Sequence, residues 1–277
     1  MTTPGERQVE QASPTLQGSL VFIGTATLLL HLGPFTVLTD PNFLLRGQRA
    51  YLGRGMWSRR LTDPAIGIGQ LSRLDVVLLS HLHGDHFDRV ARRRLPRDVP
   101  VVTTPHAAAR LGRIGFSTVG LATWQRHQLV HGPETLSFEA LPAVHARGAL
   151  GRLLPPVMGT LIEHRIANGP SRRIYVTGDT VTGPHLDEIA RRHPDVDLSV
   201  LPLGGTRVLG QTVSMDATQG VDFLHRVQPR QVLPVHYDDY PIFRSTLSQF
   251  EDEARVAGFK DRLRVVRRGQ AVPIAWP

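Results

Sequence analysis

The chain has 277 residues, 41% of them hydrophobic and 20% charged, which excludes an intrinsically disordered polypeptide and is ample length to bury a core. It contains no cysteine, so disulfides, thiolate metal sites and cysteine nucleophiles are excluded, and a bound transition metal must use His, Asp or Glu. The formal net charge is +8, and Lys260 is the one lysine among 32 basic residues. GC-rich coding produces such an arginine bias, and so does an anionic partner that Arg contacts bidentately; charge alone does not separate the two.

Residues 1–17 are polar and contain proline, and they read as a flexible N-terminal arm ahead of a single domain over 18–277. No apolar run resembles a signal peptide or a membrane span, so the expected location is the cytoplasm. From Leu20 the pattern predicts short strands over Val21–Ile23, Ala26–His31 and Phe35–Thr39, with a turn at Gly33-Pro34. Asp40–Asp63 reads as an Arg-rich loop. A strand over Asp75–Ser80 precedes a short helix over Phe87–Leu95, then a strand over Val99–Thr104 and a helix over His106–Ile114. The second half repeats this grammar. Strands are expected at Leu136–Leu141, Thr160–His164, Arg173–Thr177, Leu198–Leu203, Gln231–Val235 and Leu263–Arg267. Helices are expected at His185–Arg192, Asp216–Val227 and Ser245–Ala257, the last with Ser245 as N-cap and Gly258 as its stop.

Asp75–Ser80 runs straight into His81-Leu82-His83-Gly84-Asp85-His86, which places four candidate ligands within six residues. Imidazole and carboxylate are the donors expected at a hydrolytic Zn²⁺ or Mn²⁺ site. Three more candidates, His145, Asp179 and His236, each follow a predicted strand. Each alone is more often a structural residue, but together with the first cluster they make seven ligands, enough for two metals.

In order and approximate spacing, His81-x-His83-x-Asp85-His86 followed by His145, Asp179 and His236 resembles the metallo-β-lactamase superfamily, from about Leu20 to the C-terminus. The resemblance implies an α/β protein with a four-layer αβ/βα sandwich and a dinuclear metal site at one edge. It implies that His81, His83 and His145 hold one metal, that Asp85, His86 and His236 hold the other, and that Asp179 bridges them. Phe22-Ile23-Gly24-Thr25-Ala26-Thr27 and Leu38-Thr39-Asp40-Pro41 are similar to the opening signatures of the branch with ascorbate-6-phosphate lactonases and N-acylphosphatidylethanolamine phospholipase D. The stretch Val235–Tyr240 is similar too. Thr25 stands where that branch usually has His.

Two divalent metals about 3.5–4 Å apart lower the pKa of a bridging water toward neutrality and bind a developing oxyanion. Asp85 is then placed to accept the water's proton, and Asp179 to set the metal separation. Asp40 is placed to orient a ligand His. Zn²⁺ is the expected ion, and Mn²⁺ and Fe²⁺ fit the same donors. The expected activity is hydrolysis of a lactone, ester or phosphodiester of a small substrate.

Arg46, Arg49, Arg54, Arg59 and Arg60 surround Tyr51 and Trp57 in the Arg-rich loop, and this stretch reads either as a cap that binds an anionic substrate or as a solvated loop that packs its two aromatics. Tyr237 reads either as a substrate donor or as strand-end packing. Arg92, Arg93 and Arg94 read as a solvated helix face. His31, His106, His127, His131, His164, His185, His193 and His225 read as surface or structural residues. A nuclease of the same fold is the first rival, since tRNA 3′-processing endonucleases carry a similar His-x-His-Gly-Asp-His stretch; no inserted substrate arm accompanies it here. A non-catalytic metal-binding member is the second rival. Oligomeric state is not encoded in any motif.

Overall fold

Continuous and alternating apolar runs become the strands of two facing sheets, and the amphipathic segments between them become helices on the outer faces. The structure, a computed structural model, describes residues 17–274 except 168. The expected arm therefore lies outside the described residues up to residue 16; the Gln17 carbonyl accepts the Gly33 N–H at 3.0 Å.

In chain order the first half holds β1 (Gly18–Gly24), β2 (Thr27–Leu32), β3 (Phe35–Thr39), β4 (Arg49–Gly53), β5 (Met56–Arg59), β6 (Val76–Leu78), α1 (Arg89–Arg94), β7 (Val101–Thr103), α2 (Pro105–Gly112) and β8 (Thr118–Gly120). The second half holds β9 (Arg126–His131), β10 (Glu134–Pro142), α3 (Gly148–Leu153), β11 (Met158–Ile166), β12 (Ser171–Val176), α4 (Pro184–Arg192), β13 (Leu198–Pro202), β14 (Arg207–Val208), β15 (Gln211–Thr212), α5 (Ala217–Val227), β16 (Gln231–Val235), α6 (Leu247–Val256) and β17 (Ala271–Pro273). One sheet has the order β17-β1-β2-β3-β6-β7-β8 and the other β16-β13-β12-β11-β10-β9.

The sheets meet through Phe22, Leu30, Val76 and Val102 on one side and Phe138, Ile162, Val200 and Leu233 on the other. A second apolar layer joins Leu186, Ile189, Phe223 and Phe250 of α4, α5 and α6 to Tyr175, Leu161 and Leu201 behind the second sheet. A third joins Ala91 of α1 and Leu111 of α2 to Leu38, Val77 and Val101 behind the first. The result is the four-layer αβ/βα sandwich expected of the sequence. Strands β3, β6, β7 and β8 run parallel, as do β12, β13 and β16. In such sheets ligands gather beyond the carboxyl ends of the strands.

Several local expectations change. Residues 40–63 are not a plain loop: β4 and β5 pair as a hairpin, Tyr51 opposite Trp57, around the turn Gly53-Arg54-Gly55. Leu263–Arg267 contributes one isolated bridge, Val232 to Leu263, and the last strand is instead β17, which pairs with β1. The cap of α6 is Thr246, whose hydroxyl accepts the Gln249 N–H, while Ser245 is used elsewhere, its hydroxyl accepting from the Ala217 N–H. Asp88 has a double duty. One carboxylate oxygen caps α1 through Val90 and Ala91, and the other accepts the Phe43 and Leu44 N–H groups at 2.5 and 2.7 Å.

Candidate metal centre

The carboxyl ends of β3, β6, β10, β12 and β16 converge on one edge. There the chain presents Asp40, the run His81–His86, His145, Asp179 and His236. The seven candidate ligands are all buried, from 0% exposure at His81, His86 and His236 to 9% at His83. Close backbone approach fixes two of the turns. A Cβ at Gly84 would lie 2.5 Å from the Tyr51 carbonyl oxygen, so only glycine admits β4 against the His-rich loop. Gly178 has φ +63°, and a Cβ there would lie 2.8 Å from the Met158 oxygen, so the turn into Asp179 also requires glycine. Three neighbours without that freedom, Thr25, Asp40 and His236, still adopt positive φ of 53°, 35° and 62°. Backbone strain of this kind persists where the surroundings over-determine it.

The donor atoms face one another. His81 Nε2 is 2.9 Å from His83 Nδ1, and His145 Nε2 is 3.2 Å from the same atom. His86 Nε2 is 3.3 Å from Asp179 Oδ1, and His236 Nε2 is 3.4 Å from Asp85 Oδ2. Three overlapping triads result: His81, His83 and His145; Asp85, His86 and His236; and His81, His86 and Asp179, which joins the other two. Ligands about 2.0–2.1 Å from a tetrahedral zinc stand roughly 3.3 Å from one another, close to these spacings.

The outward ring nitrogens explain the orientation. Asp40 accepts the Ser80 N–H at 2.7 Å and the Ser80 hydroxyl at 2.8 Å, and its Oδ2 lies 2.9 Å from His86 Nδ1. Ser80 Oγ lies 3.0 Å from His81 Nδ1, and the Val213 carbonyl 2.7 Å from His145 Nδ1. Each of these three rings turns its Nδ1 to an outward oxygen and its Nε2 inward, the arrangement that fixes a metal-binding tautomer. His83 is turned the other way, with Nδ1 inward and Nε2 toward Gly53. The inward atoms His86 Nε2, Asp85 Oδ1, Asp179 Oδ1 and His236 Nε2 have no hydrogen-bond partner, although buried. Such orphaned groups cost free energy unless something else satisfies them.

Electrostatics favour a cation. Burial, and then the neighbouring imidazoles, push the proton affinity of His81 well below the ordinary range; burial and then His145 bring His83 to about 4. Burial also lowers His145. Burial opposes ionisation of Asp179 and Asp85, but His236 and His86 outweigh it and hold both carboxyls below their usual value. His86 is raised: burial disfavours its charge, yet Asp179, Asp40 and Asp85 overcome it. Neutral imidazoles at His81, His83 and His145 beside ionised carboxylates are the protonation states that metal ligation needs, and at His86 a cation would take the place of the proton that the three carboxylates attract. The residues present fit one or more divalent cations by donor type, spacing and charge.

Behind the cluster lies a polar network that the sequence reading did not foresee. Arg60, expected in a substrate cap or a solvated loop, is instead fully buried, because its guanidinium is surrounded by oxygen acceptors. It donates to the carbonyls of Asn42 and Thr62 at 3.0 Å, to the Asn42 side chain, and lies 3.4 Å from Asp239. Asp239 also accepts the Thr25 N–H at 2.7 Å and pairs with Arg268 at 2.9 Å. Two arms of this network touch the site: Asn42 donates to the Gly84 carbonyl, and the Thr25 carbonyl accepts the His236 N–H at 2.8 Å. Thr25 thus reaches a candidate ligand through its backbone, not its side chain.

The remaining expected contacts separate. Arg54 is exposed and donates through Nε and Nη2 to the Leu153 carbonyl, both at 3.1 Å. Trp57 is 58% exposed and its ring lies 4.8 Å from that of Tyr51. Arg59 is exposed in the same strand, opposite Arg49. Tyr237 instead packs on Phe22 and beneath Arg268, against the core between the sheets; burial, then Asp238, raises its hydroxyl to about 12. This packing gives no support to a substrate contact. Arg92, Arg93 and Arg94 are exposed.

A family model described as the beta-lactamase superfamily domain matches residues 36–237. A UPF0173 metal-dependent hydrolase of Thermus thermophilus is 27% identical over 252 residues, spanning 86% of this chain and 91% of that protein. An isothiocyanate hydrolase from Delia radicum gut bacteria superposes with a TM-score of 0.78 at 21% identity, covering 93% of this chain and 99% of the other. A possible metal-dependent hydrolase from Veillonella parvula gives 0.75 at 19% identity, covering 92% and 98%. No helix among the described residues is long and apolar enough to cross a membrane.

Proposed function

The chain belongs to the beta-lactamase superfamily and is a metal-dependent hydrolase; from that premise we propose that its seven buried His and Asp side chains hold two divalent cations and hydrolyse a lactone, ester or phosphodiester of a small substrate. The observation that carries this reading is the set of inward donor atoms at 2.9–3.4 Å, three of them (His86 Nε2, Asp179 Oδ1 and His236 Nε2) orphaned, with outward nitrogens held by Asp40, Ser80 and Val213. In the proposal His81, His83 and His145 hold one cation, Asp85, His86 and His236 the other, and Asp179, which faces both sets, bridges them. Zn²⁺ suits the donors, and Mn²⁺ or Fe²⁺ satisfies the same set. When bound, two such cations supply an acidified water and a clamp for the developing oxyanion.

The chain's own groups then do the following. Asp85 Oδ1, buried and unpartnered, takes the proton of the attacking water and returns it to the leaving group. Asp40 and Ser80 hold the imidazoles of His86 and His81 in one tautomer. The Thr25 carbonyl holds the backbone of His236. The shared core of the two sheets supports reading 18–277 as one hydrolase domain. The opening Gly24-Thr25 and Thr39-Asp40-Pro41 turns, both beside the cluster, support placement near the lactonase and phospholipase D branch, with Thr25 as the departure.

Turnover of a chromogenic phosphodiester and of a simple lactone, with and without chelation, tests the reading. Chelator-sensitive cleavage of either supports it and chooses between phosphoryl and carbonyl chemistry. Cleavage that survives complete removal of metal contradicts it.

A further inference from the structure

Two walls rise beside the same pair of histidines. One is the β4–β5 hairpin: Gly53 comes within 3.8 Å of His83 Nε2 when a Cβ is placed on it, and the Tyr51 carbonyl accepts the Gly84 N–H at 2.9 Å. The other is α3 with β14–β15. It begins three residues after His145, is tied to that ring through the Val213 carbonyl, and packs on itself through Ala146, Leu150, Leu154, Val208 and Val213. His83 and His145 are in contact and, at 9% and 6%, are the most exposed of the seven candidate ligands, so the walls flank the opening by which solvent reaches the cluster, and Arg54 spans it by donating to Leu153 at the end of α3.

These walls carry Tyr51, Met56 and Trp57 on one side and Leu153 and Leu209 on the other, with exposures of 45, 36, 58, 47 and 89%. The hairpin has a buried face already: Ala50 and Leu52 pack with Leu44 and Tyr240. Its aromatic pair is therefore surplus to holding the hairpin down. Apolar side chains clustered at a mouth, rather than scattered singly, mark a binding surface. Arg54, at the tip of the hairpin, is occupied by the strap to Leu153 and is not aimed into the opening as a free anion receptor.

Building on the hydrolase reading above, we propose that the Tyr51–Trp57 pair, with Met56 and Leu153, is the substrate-selecting surface. It takes a neutral substrate that carries an aryl or short alkyl group next to the scissile bond. The apolar group lies against the aromatic rings, and this contact places the electrophilic centre over the His83/His145 side of the cluster. Arg54 acts on the mouth's width and not on substrate charge.

The experiment has a binding arm and a turnover arm. N-phenyl-1-naphthylamine, a neutral apolar fluorophore, is titrated into the wild-type chain, Tyr51→Ala/Trp57→Ala and Trp57→Phe. Its dissociation constant is expected to rise about tenfold or more in the double variant and to change less than threefold in Trp57→Phe. Unchanged binding in a folded double variant overturns the proposal. The turnover arm compares phenyl acetate, methyl acetate and bis-p-nitrophenyl phosphate. The double variant is expected to lose about tenfold in kcat/KM on phenyl acetate, through KM, with methyl acetate changed less than threefold. Equal losses on all three, or a loss confined to the charged diester, overturn it. If the wild type cleaves none of them, the hydrolase chemistry proposed above fails for these bonds, while the binding arm still decides the collar.

Discussion

The back of the metal cluster and its mouth are built on opposite principles. Behind the ligands the charges are paired and those nearest the cluster are enclosed: Arg60 and Asp239 are fully buried and paired, and Asp40 lies 1% exposed between Ser80 and His86. At the mouth the side chains are apolar or long and basic, and they stand in solvent on a hairpin and a short helix. Two arginines six residues apart show the contrast. Arg60 is locked into four oxygen contacts with Asn42, Thr62 and Asp239, whereas Arg54 holds one carbonyl across an opening. The back fixes where the ligands stand, since a buried network is stable only when fully satisfied. The mouth is free to vary, because its apolar groups contribute little to folding and most to what enters.

That contrast can be broken by substitution. The largest effect belongs to the ligands: Asp179→Asn or His83→Ala should reduce turnover to background and lower bound metal, read by elemental analysis of the purified variants. An active variant with sub-stoichiometric metal would defeat the dinuclear reading. Next comes the back. Arg60→Met leaves Asp239 buried beside fewer partners and should cost about 3–5 kcal/mol, read as a lower denaturant midpoint. Asp40→Asn keeps the shape but weakens the hold on His86 and Ser80; metal affinity should fall about 10–100-fold, measured by competition with a chelating dye. The smallest effect on stability belongs to the mouth. Tyr51→Ala/Trp57→Ala should shift unfolding by no more than about 0.5 kcal/mol, as surface changes usually do. A mouth variant that unfolds like Arg60→Met would erase the distinction between the two regions.

The sequence exposed the site more clearly than its support. Four candidate ligands are contiguous, and the other three each follow a strand, so their convergence needed only the parallel order of strands. Short apolar runs alternating with amphipathic ones marked the strands and helices, while the four-layer sandwich followed from the resemblance that the ligand motifs carry. Arg60 was not legible, because nothing local separates a buried arginine from its exposed neighbours; its partner Asp239 lies 179 residues away. The β4–β5 hairpin hid behind its arginines, although the alternation of Ala50 and Leu52 with Arg49 and Tyr51, broken at Gly53-Arg54-Gly55, carries the period of a strand pair. Strand β9 is an edge whose two apolar residues, Leu129 and Val130, are adjacent and so fall on opposite faces, which leaves no apolar period. At the C-terminus Leu263–Arg267 has the stronger strand pattern, yet β17 pairs with β1 because the free edge of the first sheet lies there. Tertiary opportunity overrides propensity in such short segments.

The central claim is that two overlapping donor sets hold two cations. Metal content per chain, measured by mass spectrometry on the wild type, His83→Ala and His236→Ala after loading with Zn²⁺ and removal of excess, tests it most directly. The account predicts two ions per chain in the wild type and close to one in each variant, from different halves of the same cluster. One ion in the wild type with full chelator-sensitive turnover, or two retained in both variants, would contradict it.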